Sequence, residues 1–97
     1  MKGQIVLKIT QIDRDTFEVV VQTGTTTQHI VKVSDQILNE FTFDKLSKEQ
    51  FVKKSFLFLL KKEPNTSIMG DFNIEEIESF FPEFRNIYKV DWVNINI

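Results

Sequence analysis

Hydrophobic and polar residues alternate over the first third of the chain. Ile5, Leu7 and Ile9 fall on one side of an extended backbone and Val6, Lys8 and Thr10 on the other. That two-residue period is the signature of a half-buried strand. Asp13-Arg14-Asp15 interrupts it as a turn, and Phe17, Val19 and Val21 resume it against Glu18, Val20 and Gln22. Gly24 offers the left-handed conformation that a tight reversal uses. Beyond a run of threonines, His29, Val31 and Val33 alternate with Ile30 and Lys32. Two short turns joining three strands predict an antiparallel meander. One of its faces then needs a cover.

After Val33 the period lengthens to that of a helix. Ser34 is a preferred N-cap for a short helix carrying Ile37, Leu38 and Phe41. Ser47 and Gln50 have capping-box spacing, and Pro64 disfavours helical geometry at Glu63, so a second helix is predicted from Lys48 to Lys62. On the helical wheel Val52, Phe56, Leu59 and Leu60 share one face, with Phe51 and Phe58 to one side and Leu57 to the other. Only a strip around Gln50, Lys54 and Lys61 is polar. A helix so apolar is the centre of the fold or lies at an interface.

Residues 63–70 read as a loop by composition. Asn73 and Glu76 open a third, short helix that ends before Pro82, with Ile74, Ile77, Phe80 and Phe81 on one stripe and Glu75, Glu76, Glu78 and Ser79 on the other. Residues 85–97 do not read as a helix. Val93, Ile95 and Ile97 alternate with Asn94 and Asn96, so this tail can add a fourth strand. The expected fold is α+β: a three-stranded antiparallel meander, extended by a fourth C-terminal strand if the tail pairs, and packed by two or three helices. Residues 1–84 make one domain and residues 85–97 its tail.

Composition narrows the function classes. The chain has 97 residues, 41% of them hydrophobic, with 12 basic against 14 acidic side chains, a balance that calls for a packed core rather than disorder. Of its 10 phenylalanines all but Phe17 lie between Phe41 and Phe84, so the helical half supplies the bulky core. The absence of cysteine excludes disulfides, thiolate zinc sites and thiol nucleophiles. The apolar run Phe56-Leu57-Phe58-Leu59-Leu60 is far shorter than the roughly 20 residues of a membrane helix. Lys8, Thr10, Gln11 and Asp13 break any signal-peptide core near Met1. A cytoplasmic protein without membrane contact is therefore expected, and the glycosylation pattern Asn65-Thr66-Ser67 is accidental.

Charge argues against a polyanionic partner. Glu63, Asp71, Glu75, Glu76, Glu78 and Glu83 stand in a stretch without one basic residue. Lys45, Lys48, Lys53, Lys54, Lys61 and Lys62 scatter around the wheel, as lysines snorkelling past an apolar helix do. A helix–turn–helix built from the last two helices would present Glu75, Glu76 and Glu78 to phosphate.

Several stretches resemble a family of small uncharacterised bacterial proteins. They are Ile12-Asp13 with Thr16-Phe17-Glu18-Val19, His29 to Asp35, Ser55 to Leu60, Glu63-Pro64-Asn65-Thr66-Ser67-Ile68 and Phe80-Phe81-Pro82-Glu83-Phe84. The resemblance spans residues 9–84 and implies a genuine domain. The family carries no assigned activity, so no catalytic or binding residue follows from it.

Candidate chemistry is sparse. His29 is the chain's one histidine, and its position beside Val31 and Val33 predicts a packed, hydrogen-bonded imidazole rather than a catalytic base. Asp13, Asp15 and Glu18 lack the glycine and final glutamate of a calcium loop. Residues 63–68 either stop a helix and turn the chain or form a recognition loop beside an apolar groove. Pro64, Asn65, Thr66 and Ser67, together with Trp92, are the candidate partner-binding residues. The reading is a small cytoplasmic protein, non-enzymatic and free of cofactor or metal, that acts through protein–protein contacts. A homodimer is one form of this, through the tail or because the long helix is too apolar for a single layer of cover. A nucleic-acid-binding regulator and an enzyme using His29 are the alternatives.

Overall fold

The computed structural model describes residues 5–89. Three strands, β1 (Val6–Asp13), β2 (Thr16–Gln22) and β3 (Thr26–Lys32), form the antiparallel meander. Phe17, Val19, Val21, His29 and Val31 are buried on its inner face, as their alternation requires. Two helices follow, α1 (Asp35–Thr42) and α2 (Lys48–Lys62). Their expected caps are present: Ser34 Oγ accepts from the Ile37 amide, and Ser47 and Gln50 close a full capping box.

A fourth strand, β4 (Asp71–Asn73), lies beside β3 and runs parallel to it, so the sheet order is β1-β2-β3-β4. Parallel neighbours need a long crossover, and α1 with α2 supplies it. The expected loop-then-helix reading missed this strand because three residues with one inward side chain, Phe72, carry no period. The tail residues Val93, Ile95 and Ile97 lie outside the described residues.

Asn73 leads into a 3₁₀ turn, Ile74–Glu76, and then α3 (Ile77–Phe80). A further 3₁₀ segment, Pro82–Lys89, continues past residue 84, where a non-helical tail was expected to begin. Phe84 and Ile87 are buried there. Asn86, at φ −101° and ψ 20°, kinks the segment between them, so no single helical period links the two.

That segment explains the apolarity of α2. On one side Phe56 packs against the sheet, 5.4 Å from the His29 ring and 6.1 Å from Phe72. On the other, Phe84 stacks on Phe51 at 5.9 Å and meets Phe58 at 5.6 Å and Phe41 at 5.4 Å. The helix is the centre of the fold, covered twice by its own chain. Its buried stripe runs through Phe51, Ser55 and Phe58 as well as Val52, Phe56 and Leu59, while Leu60 is only half-buried. The apolarity of α2 is thus satisfied within one chain and does not call for a second copy.

Candidate functional site

The segment after α2 has two sides with different roles. Asn65, in the 3₁₀ turn Asn65–Ser67, is buried and points inward. Its amide donates to the Thr25 carbonyl at 3.0 Å and the Thr27 hydroxyl at 2.9 Å, while its oxygen accepts from the Thr23 hydroxyl at 3.2 Å. These bonds clamp the β2–β3 turn. Gly24 is not in the left-handed region, contrary to expectation; the turn is held by the Asn65 side chain. A glycan on this buried, fully engaged amide would require opening the fold.

The same network reaches His29. Its Nδ1 lies 2.7 Å from the Met69 carbonyl and its Nε2 2.8 Å from the Thr27 hydroxyl. A carbonyl can only accept, so Nδ1 carries the proton, and in the neutral ring Nε2 accepts from Thr27. With both nitrogens engaged and the ring buried beside Phe56, the histidine ties β3 to the 63–70 segment. Among the described residues, no group of three or more His, Asp or Glu is placed to hold a metal ion.

The outer side of the segment borders a pocket of about 120 Å³. Leu59 of α2, Ile68, Met69, Phe72 of β4 and Ile77 give it an apolar lining, Phe80 of α3 and the following Phe81 form part of the wall, and Glu63 and Ser67 are its polar lining residues. Phe80 is 63% exposed. Phe80 ends α3, and Phe81, its C-cap, has left helical geometry at φ −134° and ψ 89°. Phe81 meets Phe58 edge-on at 5.8 Å, which leaves Phe80 facing out.

Of the sequence-derived candidates, Ser67 lines the pocket, Pro64 and Thr66 are exposed beside it, and Asn65 is spent on the fold. Trp92 lies outside the described residues. The lining residues Leu59, Met69, Phe72, Ile77 and Phe80 were not singled out from the sequence as site residues; Phe80 was expected on one stripe with Ile74, Ile77 and Phe81, but α3 ends at Phe80 and leaves its ring exposed.

Charges near the site are partly consumed internally. Arg85 grips Glu78 with two bonds of 2.8 Å, reaches Glu40 at 2.7 Å and lies 4.3 Å over the Phe41 ring. The Glu78 and Glu40 carboxylates raise the guanidinium pKa further above its already high value. Lys62 pairs with Glu83 at 2.8 Å, which lowers the Glu83 pKa. Among the described residues, Glu63, Asp71 and Glu75 join no salt bridge.

The fold and site define an α+β domain with one small apolar pocket described at the β4 edge of its sheet. Comparison with protein-family models, curated proteins and solved structures finds no match to the chain.

Proposed function

We propose that the protein is a small, non-enzymatic, cytoplasmic interaction domain that takes one apolar side chain of a partner polypeptide into the pocket between α2 and α3. The observation that carries this reading is the pocket's size. Sites for drug-sized ligands and cofactors run to roughly 300–1,000 Å³, whereas a cavity of about 150 Å³ holds a single benzene-sized group. About 120 Å³ suits one leucine- or phenylalanine-sized side chain. Exposed Phe80 beside it adds apolar contact area, and aromatic anchors of this kind are common at the centres of interfaces. Glu63 on the wall, with Asp71 and Glu75 nearby in the chain, favours lysine or arginine flanking the inserted residue. No helix among the described residues is long and apolar enough to cross a membrane.

Both alternatives have less support. Lys48 is committed to Asp15 and Asp35, and Lys62 to Glu83, which leaves fewer lysines for phosphate. His29 does not line the pocket and has no free ring nitrogen. The test is a titration of isotope-labelled protein with short peptides carrying one leucine between lysines or between glutamates. The lysine peptide should shift the amides of Ser67, Ile68, Phe72 and Phe80, and Phe80→Ala should weaken it. Silence at these amides with every apolar peptide would end the pocket reading.

A further inference from the structure

β1 forms one edge of the sheet, and among the described residues nothing pairs with its outer side. Edge strands are ordinarily kept short, because unpaired backbone groups recruit another strand. This one is 8 residues long, and two of the large exposed hydrophobics lie on it, Val6 at 48% and Ile12 at 56%.

The free backbone groups can be assigned from the opposite edge. Ile30 donates its N–H to the Gly70 carbonyl, so even-numbered residues of β3 face β4 and odd-numbered ones face β2. Alternation across the β2–β3 and β1–β2 registers then points Val6, Lys8 and Thr10 toward β2. Leu7, Ile9 and Gln11 are left with their N–H and C=O groups on the open edge. These three are symmetric about Ile9.

The side chains share that symmetry. Val6 and Ile12 are exposed at equal sequence separations from Ile9, Ile12 as the extra residue of a bulge, with Lys8 and Thr10 exposed between them. We propose that β1 is a self-pairing edge: two copies of the chain join their β1 strands antiparallel about a twofold axis through Ile9, forming one continuous sheet. Ile9 then exchanges both backbone bonds with its counterpart, and Leu7 does so with Gln11 of the second copy. Lys8 meets Thr10 of the second copy, and Val6 lies towards the bulge that holds Ile12. Charge selects this register from its neighbours. Moving the axis to Lys8 would set lysine against lysine, and moving it to Thr10 would set Lys8 against Ile12.

The bulge between Gln11 and Asp13 lies at the hairpin end, outside the Leu7–Gln11 segment that carries the hydrogen bonds. The proposal rests on the reading that the chain works through protein contacts, but not on the pocket, which sits at the β4 edge. A dimer through β1 leaves both pockets open at the two ends of the joined sheet, so it could hold a partner at two points.

Full-length protein should give twice its 11.4 kDa mass by light scattering across a concentration series. Thr10→Lys keeps Glu18 as its cross-strand neighbour within the chain but faces Lys8 of the second copy, twice by symmetry. It should weaken association about tenfold or more with melting of the monomer unchanged. Adding Lys8→Glu to Thr10→Lys should restore association. The chain has no cysteine, so Lys8→Cys and Thr10→Cys proteins can also be mixed and oxidised. Positions 8 and 10 would form a non-hydrogen-bonded pair with Cα atoms about 4.5 Å apart, inside disulfide reach. Mixed disulfides should exceed either homodisulfide. Protein that stays monomeric throughout would overturn the proposal, as would dimerisation only after residues 90–97 are deleted, since the chain's own end would then be occupying the edge. A monomer that still binds peptide fails this proposal alone, and a dimer that binds none fails only the pocket.

Discussion

At the residue scale, two buried side chains do different work. Phe56 fills space between α2 and the sheet and touches the His29 and Phe72 rings. Phe56→Ala leaves a cavity that rigid strands cannot close, and should cost about 3–5 kcal/mol in denaturant unfolding. Asn65 instead supplies hydrogen bonds to the β2–β3 turn. Asn65→Ala removes one donor each from the Thr25 carbonyl and the Thr27 hydroxyl, which keep Thr23 and His29, and about 1 kcal/mol should be lost. Phe56 was legible in the sequence because helical period marks it. The role of Asn65 was not, because its partners are some forty residues away and only folding brings them together.

At the element scale, local chemistry sets the helix ends. The Ser47 hydroxyl accepts from the Gln50 amide at 3.1 Å while the Gln50 side chain accepts from the Ser47 amide at 2.9 Å. Ser47→Ala should cost about 1 kcal/mol, seen as a fall of roughly 4–8 °C in melting temperature for a domain of this size. Lys48, only 12% exposed, joins the first turn of α2 to α1 and the β1–β2 turn. Its ammonium pairs with Asp15 and lies 2.7 Å from Asp35, which also bonds Arg14. Burial disfavours the Lys48 charge, but the two carboxylates outweigh it and its pKa rises. The Lys48 and Arg14 bonds hold the Asp35 carboxyl below its ordinary 3.8. Asp13, bonded by Thr16 and the Asp15 amide, and Glu83 are lowered too. Carboxylates with depressed folded values stabilise fully above their unfolded pKa and lose that contribution as pH falls through the folded one. The melting temperature should therefore hold through neutral pH and drop in acid below about 4, more shallowly in Asp35→Asn. A drop of the same depth in Asp35→Asn would remove this cluster as its source.

At the scale of the whole molecule, α2 is sandwiched between the sheet and the Pro82–Lys89 segment with α1 and α3. Amides covered on both sides open only with the whole fold. Hydrogen exchange should be slowest in the middle of α2, around Ser55 to Leu59, and in β2, and fast in the turn at residues 23–25 once Asn65 is replaced. Faster exchange in α2 than in β1 would mean that the second layer is not closed.

Strand and helix periods, and the caps at Ser34 and Ser47, depend on neighbours a few residues apart, so the chain by itself determined the meander, the first two helices and the inward faces. It also determined that something must cover a helix as apolar as α2. What covers it is a matter of distance: Phe84 and Ile87 belong to a segment without α or β period, both are buried, and Phe84 packs on Phe51, Phe58 and Phe41. β4 is likewise a tertiary product, since three residues become a strand only when Gly70 and Phe72 lie beside Ile30 and Val31. The pocket arises where that strand, the end of α2 and α3 meet. A concavity belongs to no single stretch of chain, and for that reason only the tertiary structure could decide where it lies and how large a side chain it admits.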